Sequence, residues 1–157
     1  MMRHLLFSVD HVQCALPMDT VRIVLQMVQL GPVPELQPDL AGTVNLHGHI
    51  IPVWSVRSIF GRAARSPRLT DRLIIAETTP DCVALWADEA HVTRQNPVLP
   101  LQTEMPEKVL VVVPGISRTD EGVFTITDLR QFLSPSNAAV LKAAVTGSGE
   151  REDARHA

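Results

Sequence analysis

Tyrosine is absent from the 157-residue chain, and its two tryptophans and four phenylalanines are scattered. A single-stranded nucleic-acid platform stacks bases on aromatic side chains set beside basic ones, so that class is excluded. The net charge of −3 and an isoelectric point near 6.0 argue equally against a phosphate-backbone binder, and no nucleic-acid partner is expected. Cysteine is nearly missing: Cys14 and Cys82 stand alone, without a CxxC pair, and both read as small buried hydrophobes. No apolar run approaches the ~20 residues of a membrane span. The N-terminal stretch MMRHLLFSVDHVQCALP meets Asp10 and His11 too early for a secretory h-region and reads as a strand. A cytoplasmic protein that is not membrane-embedded is expected.

Catalytic motifs are missing as well. Neither G-x-x-x-x-G-K-S/T nor G-x-G-x-x-G occurs, Ser117 lacks the second glycine of a nucleophile elbow, and neither thiol sits in a catalytic context. No enzyme activity, cofactor or metal is nominated. His47-Gly48-His49 is an H-x-H pair, but a glycine between the imidazoles suggests a turn or bulge that splays them, and a zinc site needs further ligands. A metal- or ligand-sensing regulatory domain using His47 and His49 remains the alternative function.

What is present is β-structure. Twelve prolines and eight glycines punctuate short stretches rich in Val, Ile and Leu, a spacing that suggests a barrel or sandwich. Leu5, Phe7 and Val9 alternate with His4, Ser8 and Asp10, although Leu6 breaks the pattern. Leu73–Ala76 and Val109–Val113 are continuous apolar runs, as expected of strands buried on both faces. The β-branched run from Val21 resists helix. Val56–Phe60 and Leu129–Leu133 read as single helical turns, and Ser136–Val145 as the one longer helix. The charged tail from 147 to 157 is expected to be disordered.

A 73-residue shift lays Ile50–Phe60 on Val123–Leu133, matching six apolar positions, Arg57 with Arg130 and Gly42 with Gly115. A 69-residue shift lays Ala15, Leu16 and Asp19 on Ala84, Leu85 and Asp88. These matches suggest a duplicated strand-rich unit, near 5–60 and 74–133, within a single domain spanning 1–146. Arg57, Arg62, Arg65, Arg68 and Arg72, opposed only by Asp71, read as a solvated linker; a contact to an acidic partner is the sharper alternative.

LAGTVNLHGHIIPVWSVRSIFG at Leu40–Gly61 closely resembles the signature of CheW-like proteins, usually GVINLRG-x-IIPVIDLR-x-x-FG. VRIVLQMVQLGPVPELQPDLAG upstream, DRLIIAE, VALWADEAHVT and GVFTITDLRQFL are similar to further family segments, so the resemblance covers about 4–134. It implies an all-β fold with short helices: two intertwined, five-stranded SH3-like barrels, with strands exchanged, and a C-terminal helix. It also implies a non-catalytic adaptor of chemotaxis or related two-component signalling. Its partners would be the regulatory domain of a CheA-type histidine kinase and the cytoplasmic tip of a chemoreceptor. Carried over by position, the receptor groove would include Val21, Ile23, Gly42, Asn45, Leu46, His47 and Gly48. The family's arginine in NLRG is His47 here, its glutamate in VREV is Ile23, and its aspartate before the DLR arginine is Ser55, whereas Asp128 keeps that place in the second unit. Arginine and glutamate are absent together, which leaves no unpaired buried charge.

Overall fold

The computed structural model describes residues 3–33, 37–78, 81–91, 102–104 and 109–145. Alternating apolar residues carry the N-terminal hairpin, β1 (Arg3–Val9) and β2 (Val12–Pro17), whose register runs from His4 opposite Pro17 to Val9 opposite Val12. A 3₁₀ turn at Met18–Thr20 redirects the chain, and the β-branched run that follows is strand, β3 (Val21–Gln26). The signature segment is a hairpin, β4 (Leu40–Leu46) and β5 (His49–Ser55), running directly into the short helix α1 (Val56–Ile59). Next come β6 (Arg72–Thr78), β7 (Asp81–Ala87), β8 (Glu89–Ala90) and β9 (Gln102–Glu104). β10 (Val109–Val113), β11 (Ile116–Thr119) and β12 (Phe124–Ile126) then lead into α2 (Leu129–Leu133). The predicted terminal helix opens as a 3₁₀ turn at Pro135–Asn137, where proline restricts the backbone, and becomes α-helical over 138–145 (α3).

The strands form two sheets. One has the order β3-β6-β7-β5-β4; the other runs β10-β11-β12-β2-β1-β8, with β9 also on β1. The second sheet therefore holds seven strands where five were expected, because the short β8 and β9 share one flank of β1. Chain halves are interleaved. β2 pairs in parallel with β12 from the C-terminal half, while β7 pairs in parallel with β5 from the N-terminal half. Each of these junctions is followed by a capped helical turn. Ser55 Oγ accepts from the Ser58 amide at 3.1 Å, and Asp128 Oδ1 accepts from the Arg130 and Gln131 amides, so serine and aspartate perform the same cap.

The larger of two apolar clusters draws on both sheets and all three helices, from Leu5 and Phe7 through Ile59 and Phe60 to Phe124, Phe132 and Leu141. Phe60 sits 5.0 Å from Phe124 and 5.7 Å from Phe132, tilted against both, as aromatic quadrupoles prefer. The smaller cluster, including Met27, Ile51, Val53, Leu73 and Trp86, fills the five-stranded sheet's other face. The two apolar runs part company here. Leu73, Ile74, Ile75 and Ala76 are wholly buried, but in β10 Leu110 is 75% and Val111 71% exposed. The expectation that β10 is covered on both faces is overturned: among the described strands it is bonded only to β11, at the end of its sheet. The tail from 147 to 157 lies outside the described residues.

Candidate functional site

The β4–β5 hairpin is closed by a two-residue loop. Leu46 pairs with His49, and His47 and Gly48 between them have φ of 53° and 86°. Positive φ at both central residues matches the right-handed twist of the flanking strands, and Asn45 Oδ1 stabilises the loop by accepting from the Gly48 amide at 2.8 Å. Asn45, His47, Gly48 and His49 are exposed at the tip, and Ile50 beside them is 64% exposed, an apolar residue presented to solvent. The H-x-H pair thus straddles a turn, and among the described residues no three His, Cys, Asp or Glu side chains are grouped to hold a metal.

Gly42 lies lower in β4, where the chain after β3 returns to bridge Gly31 to Thr43. A Cβ at Gly42 would stand 2.6 Å from the Gly31 carbonyl oxygen, so the glycine of the signature serves close backbone approach. The two upstream candidates separate. A bulge between Val21 and Ile23 turns Val21 toward the larger apolar cluster, while Ile23, like Leu25 and Leu46, packs against the smaller one. Ile23, Leu46 and the hairpin tip therefore belong to one barrel; Val21 faces the other side of its sheet.

The arginine-rich connection is where sequence reading missed most. Arg57, on α1, is buried, and its Nη groups donate to Asp10 (3.1 and 2.7 Å), Asp88 (2.7 Å) and the Ala63 carbonyl (3.1 Å). Arg62 Nε donates to Asp10 at 2.9 Å, and Arg65 bridges Asp71 and Asp88 at 2.7–2.9 Å. Asp71, itself buried, also accepts from the Arg68 amide and from Trp86 Nε1 at 3.0 Å. The solvated-linker reading is corrected. Three arginines hold the connection against the β1–β2 and β7–β8 turns, because their acids lie 6 to 52 residues away in sequence and are brought together only by the fold. The hydrogen bond from Arg57, opposed by burial and helped by Arg62, holds the Asp10 carboxyl below its usual range. Burial would raise Asp71, but Arg65, the Arg68 amide and Trp86 outweigh it and hold Asp71 low as well. Arg57 Nε is buried with no partner among the described residues, and such an orphan donor costs roughly 1–3 kcal/mol.

The cysteines differ from each other. Cys14 is fully buried, which pushes its thiol pKa up and leaves it inert. Cys82 is only half-buried, contrary to expectation, because it sits near the β6–β7 turn, where Arg22 Nη1 donates to its sulfur at 3.5 Å.

Comparison with known proteins agrees with this geometry. Residues 3–136 match the family model described as CheW-like domain. The chain is 30% identical over 131 residues to the chemotaxis protein CheW of Thermotoga maritima, covering 81% of this chain and 84% of that one. The crystal structure of the scaffolding protein TtCheW from Thermoanaerobacter tengcongensis superposes with a TM-score of 0.61 at 25% identity, covering 85% of this chain and 94% of that one. The fold is two intertwined SH3-like barrels with few short helices, and among the described residues no helix is long and apolar enough to cross a membrane. Matched along nearly all of its strand-bearing length, this chain belongs to the CheW-like domain family of chemotaxis scaffold proteins.

Proposed function

We propose that this chain is a cytoplasmic, non-catalytic adaptor that couples chemoreceptors to a CheA-type histidine kinase, in chemotaxis or a related chemosensory pathway. The observation that carries this reading is the family match over residues 3–136 on a two-barrel frame, a rigid scaffold rather than a single open sheet. Within it, the two units near 5–60 and 74–133 would be pseudo-repeats of one domain that exchange strands between the two barrels and meet at the Phe60–Phe124–Phe132 contact. Ile23, Gly42, Asn45, Leu46, His47 and Gly48 would form the receptor-facing edge, and Ile50 extends it. An exposed isoleucine beside a rigid turn has the anchor chemistry of a docking hot spot. Val21, directed to the other side of β3, would support that edge from behind.

Co-elution of the purified chain with the kinase regulatory domain and with a receptor cytoplasmic fragment tests the reading. Wild type should bind both, and Ile50→Asp should bind the receptor fragment about tenfold less tightly with an unchanged melting temperature. Failure of wild type to bind either fragment would remove the adaptor reading. The His47→Arg/Ile23→Glu variant restores the family's charges; equal receptor affinity in it and wild type would count against a retuned groove.

A further inference from the structure

We propose that the charged stretch beyond α3, anchored by Glu150, folds back onto Arg118 in the recess where α3 meets the β1–β2 and β11–β12 turns. The recess, about 90 Å³, is lined by His11 from the first turn, by Arg118, Glu121 and Phe124 around the second, and by Val145, the last residue of α3. Arg57, Arg62 and Arg65 each have an aspartate; Arg118 has no ion pair among the described residues, and none of them accepts a hydrogen bond from its side chain. Its guanidinium lies over the Phe124 ring, 4.9 Å from the centroid, so stacking holds the plane where an acid holds the others. Arg118 Nε is sealed beneath, and a ligand would meet the Nη pair. Glu121 shares the wall without pairing to it.

The occupant follows from where the chain goes next. Val145 is both a wall of the recess and the residue from which TGSGEREDARHA departs. Glu150 lies five residues beyond it, a reach of at most about 17 Å when extended. Gly147-Ser148-Gly149 lies between, and glycine enters the positive-φ conformations with which chains reverse after a helix. The charges match in kind: the recess offers Arg118 and Glu121, the stretch offers Glu150 and Arg151. A carboxylate accepting from the Nη fork makes a charge-assisted pair on a guanidinium whose freedom stacking has already reduced. An acidic partner would then reach Arg118 only by displacing Glu150, which makes this stretch a built-in competitor at that face.

The test follows the whole chain by NMR at low ionic strength, through the heteronuclear NOEs of the amides of residues 149–153 and the Arg118 Nε–Hε resonance. In wild type the NOEs should approach those of α3, with the docked form favoured about threefold, the size of a part-exposed ion pair. Glu150→Gln should lower the NOEs and move the Arg118 resonance; Arg118→Gln should lower the NOEs equally, and Arg118→Glu/Glu150→Arg, which exchanges the charges, should restore them. Glu150→Gln alters no described residue, so it reads the contact even where a change at Arg118 weakens the fold. Wild-type NOEs as low as those of a free terminus, or an Arg118 resonance indifferent to Glu150→Gln, overturn the proposal. A resonance that moves instead with protein concentration gives the recess to a second copy, and one that moves only when the kinase regulatory domain is added gives it to that partner; either removes Glu150 as its occupant.

Discussion

β6 and β10 carry apolar runs of nearly the same character, yet Leu73 to Ala76 have no exposed surface while Leu110 and Val111 are among the most exposed large hydrophobic residues described. The difference lies in the neighbours. β6 is flanked by β3 and β7 and has an apolar cluster on each face. β10 is bonded to β11 alone among the described strands, and of its described side chains Val112 and Val113 pack against the larger cluster. A run of β-branched residues specifies a strand; the number of sheet neighbours specifies what becomes of its side chains. Arg57 and Arg130 repeat the lesson in charge. They occupy matching places in the two units, but Arg57 is buried between two aspartates and Arg130 is exposed.

The largest expected effect breaks the strand comparison. Ile75→Ala should cost about 2–5 kcal/mol in urea unfolding, the range for a buried cavity, and Leu110→Ala within about 0.5 kcal/mol. A large loss at Leu110 would show that β10 is covered in solution. Arg57→Ala should cost about 1–3 kcal/mol, because Asp10 and Asp88 lose the cation they share but keep Arg62 and Arg65, while Arg130→Ala stays within about 0.5 kcal/mol. Similar losses at both positions would remove the distinction between the two units.

A smaller effect follows from pH. Asp10 and Asp71 have folded-state pKa values below the ordinary carboxylate value of about 3.9, so the unfolded chain binds more protons in acid. Their contribution is fully present above that value and is lost as pH falls through the depressed folded values. Melting temperature against pH should therefore fall less steeply in acid for Asp71→Asn than for wild type, from a lower starting point. Parallel curves would show that Asp71 contributes nothing to acid stability. The smallest change in stability is expected for Leu110→Lys: an unaltered melting temperature, with reduced self-association by light scattering at high concentration, since lysine blunts an open strand edge. Unchanged association would mean that the β10 edge is not sticky.

Much of the fold was legible because local signals agreed with one another. β10 and α2 have the bounds expected from their apolar spacing, and α1 ends where Gly61 takes positive φ. The hairpin at His47-Gly48 was visible as a glycine between polar residues, and the long signature from Leu40 to Gly61 carried the family. The candidate groove was less legible. Val21 and Ile23 were carried over together as groove positions, but a bulge between them puts them on opposite faces. Ile50 passed as one more apolar residue of a strand, since nothing local marks it as exposed. The arginine connection was misread because its acids, Asp10 and Asp88, are distant in sequence.

By itself the sequence determined which segments become strands and turns, since period, proline and glycine act over a few residues. It also determined the family, because the signature fixes backbone features such as the close approach at Gly42. Only the tertiary structure decided which apolar strand is central and which is an edge, which arginine is buried, and which candidate side chains share a barrel. Those outcomes depend on pairings between residues tens of positions apart, and burial and ion-pair strength follow from spatial neighbours rather than from neighbours along the chain.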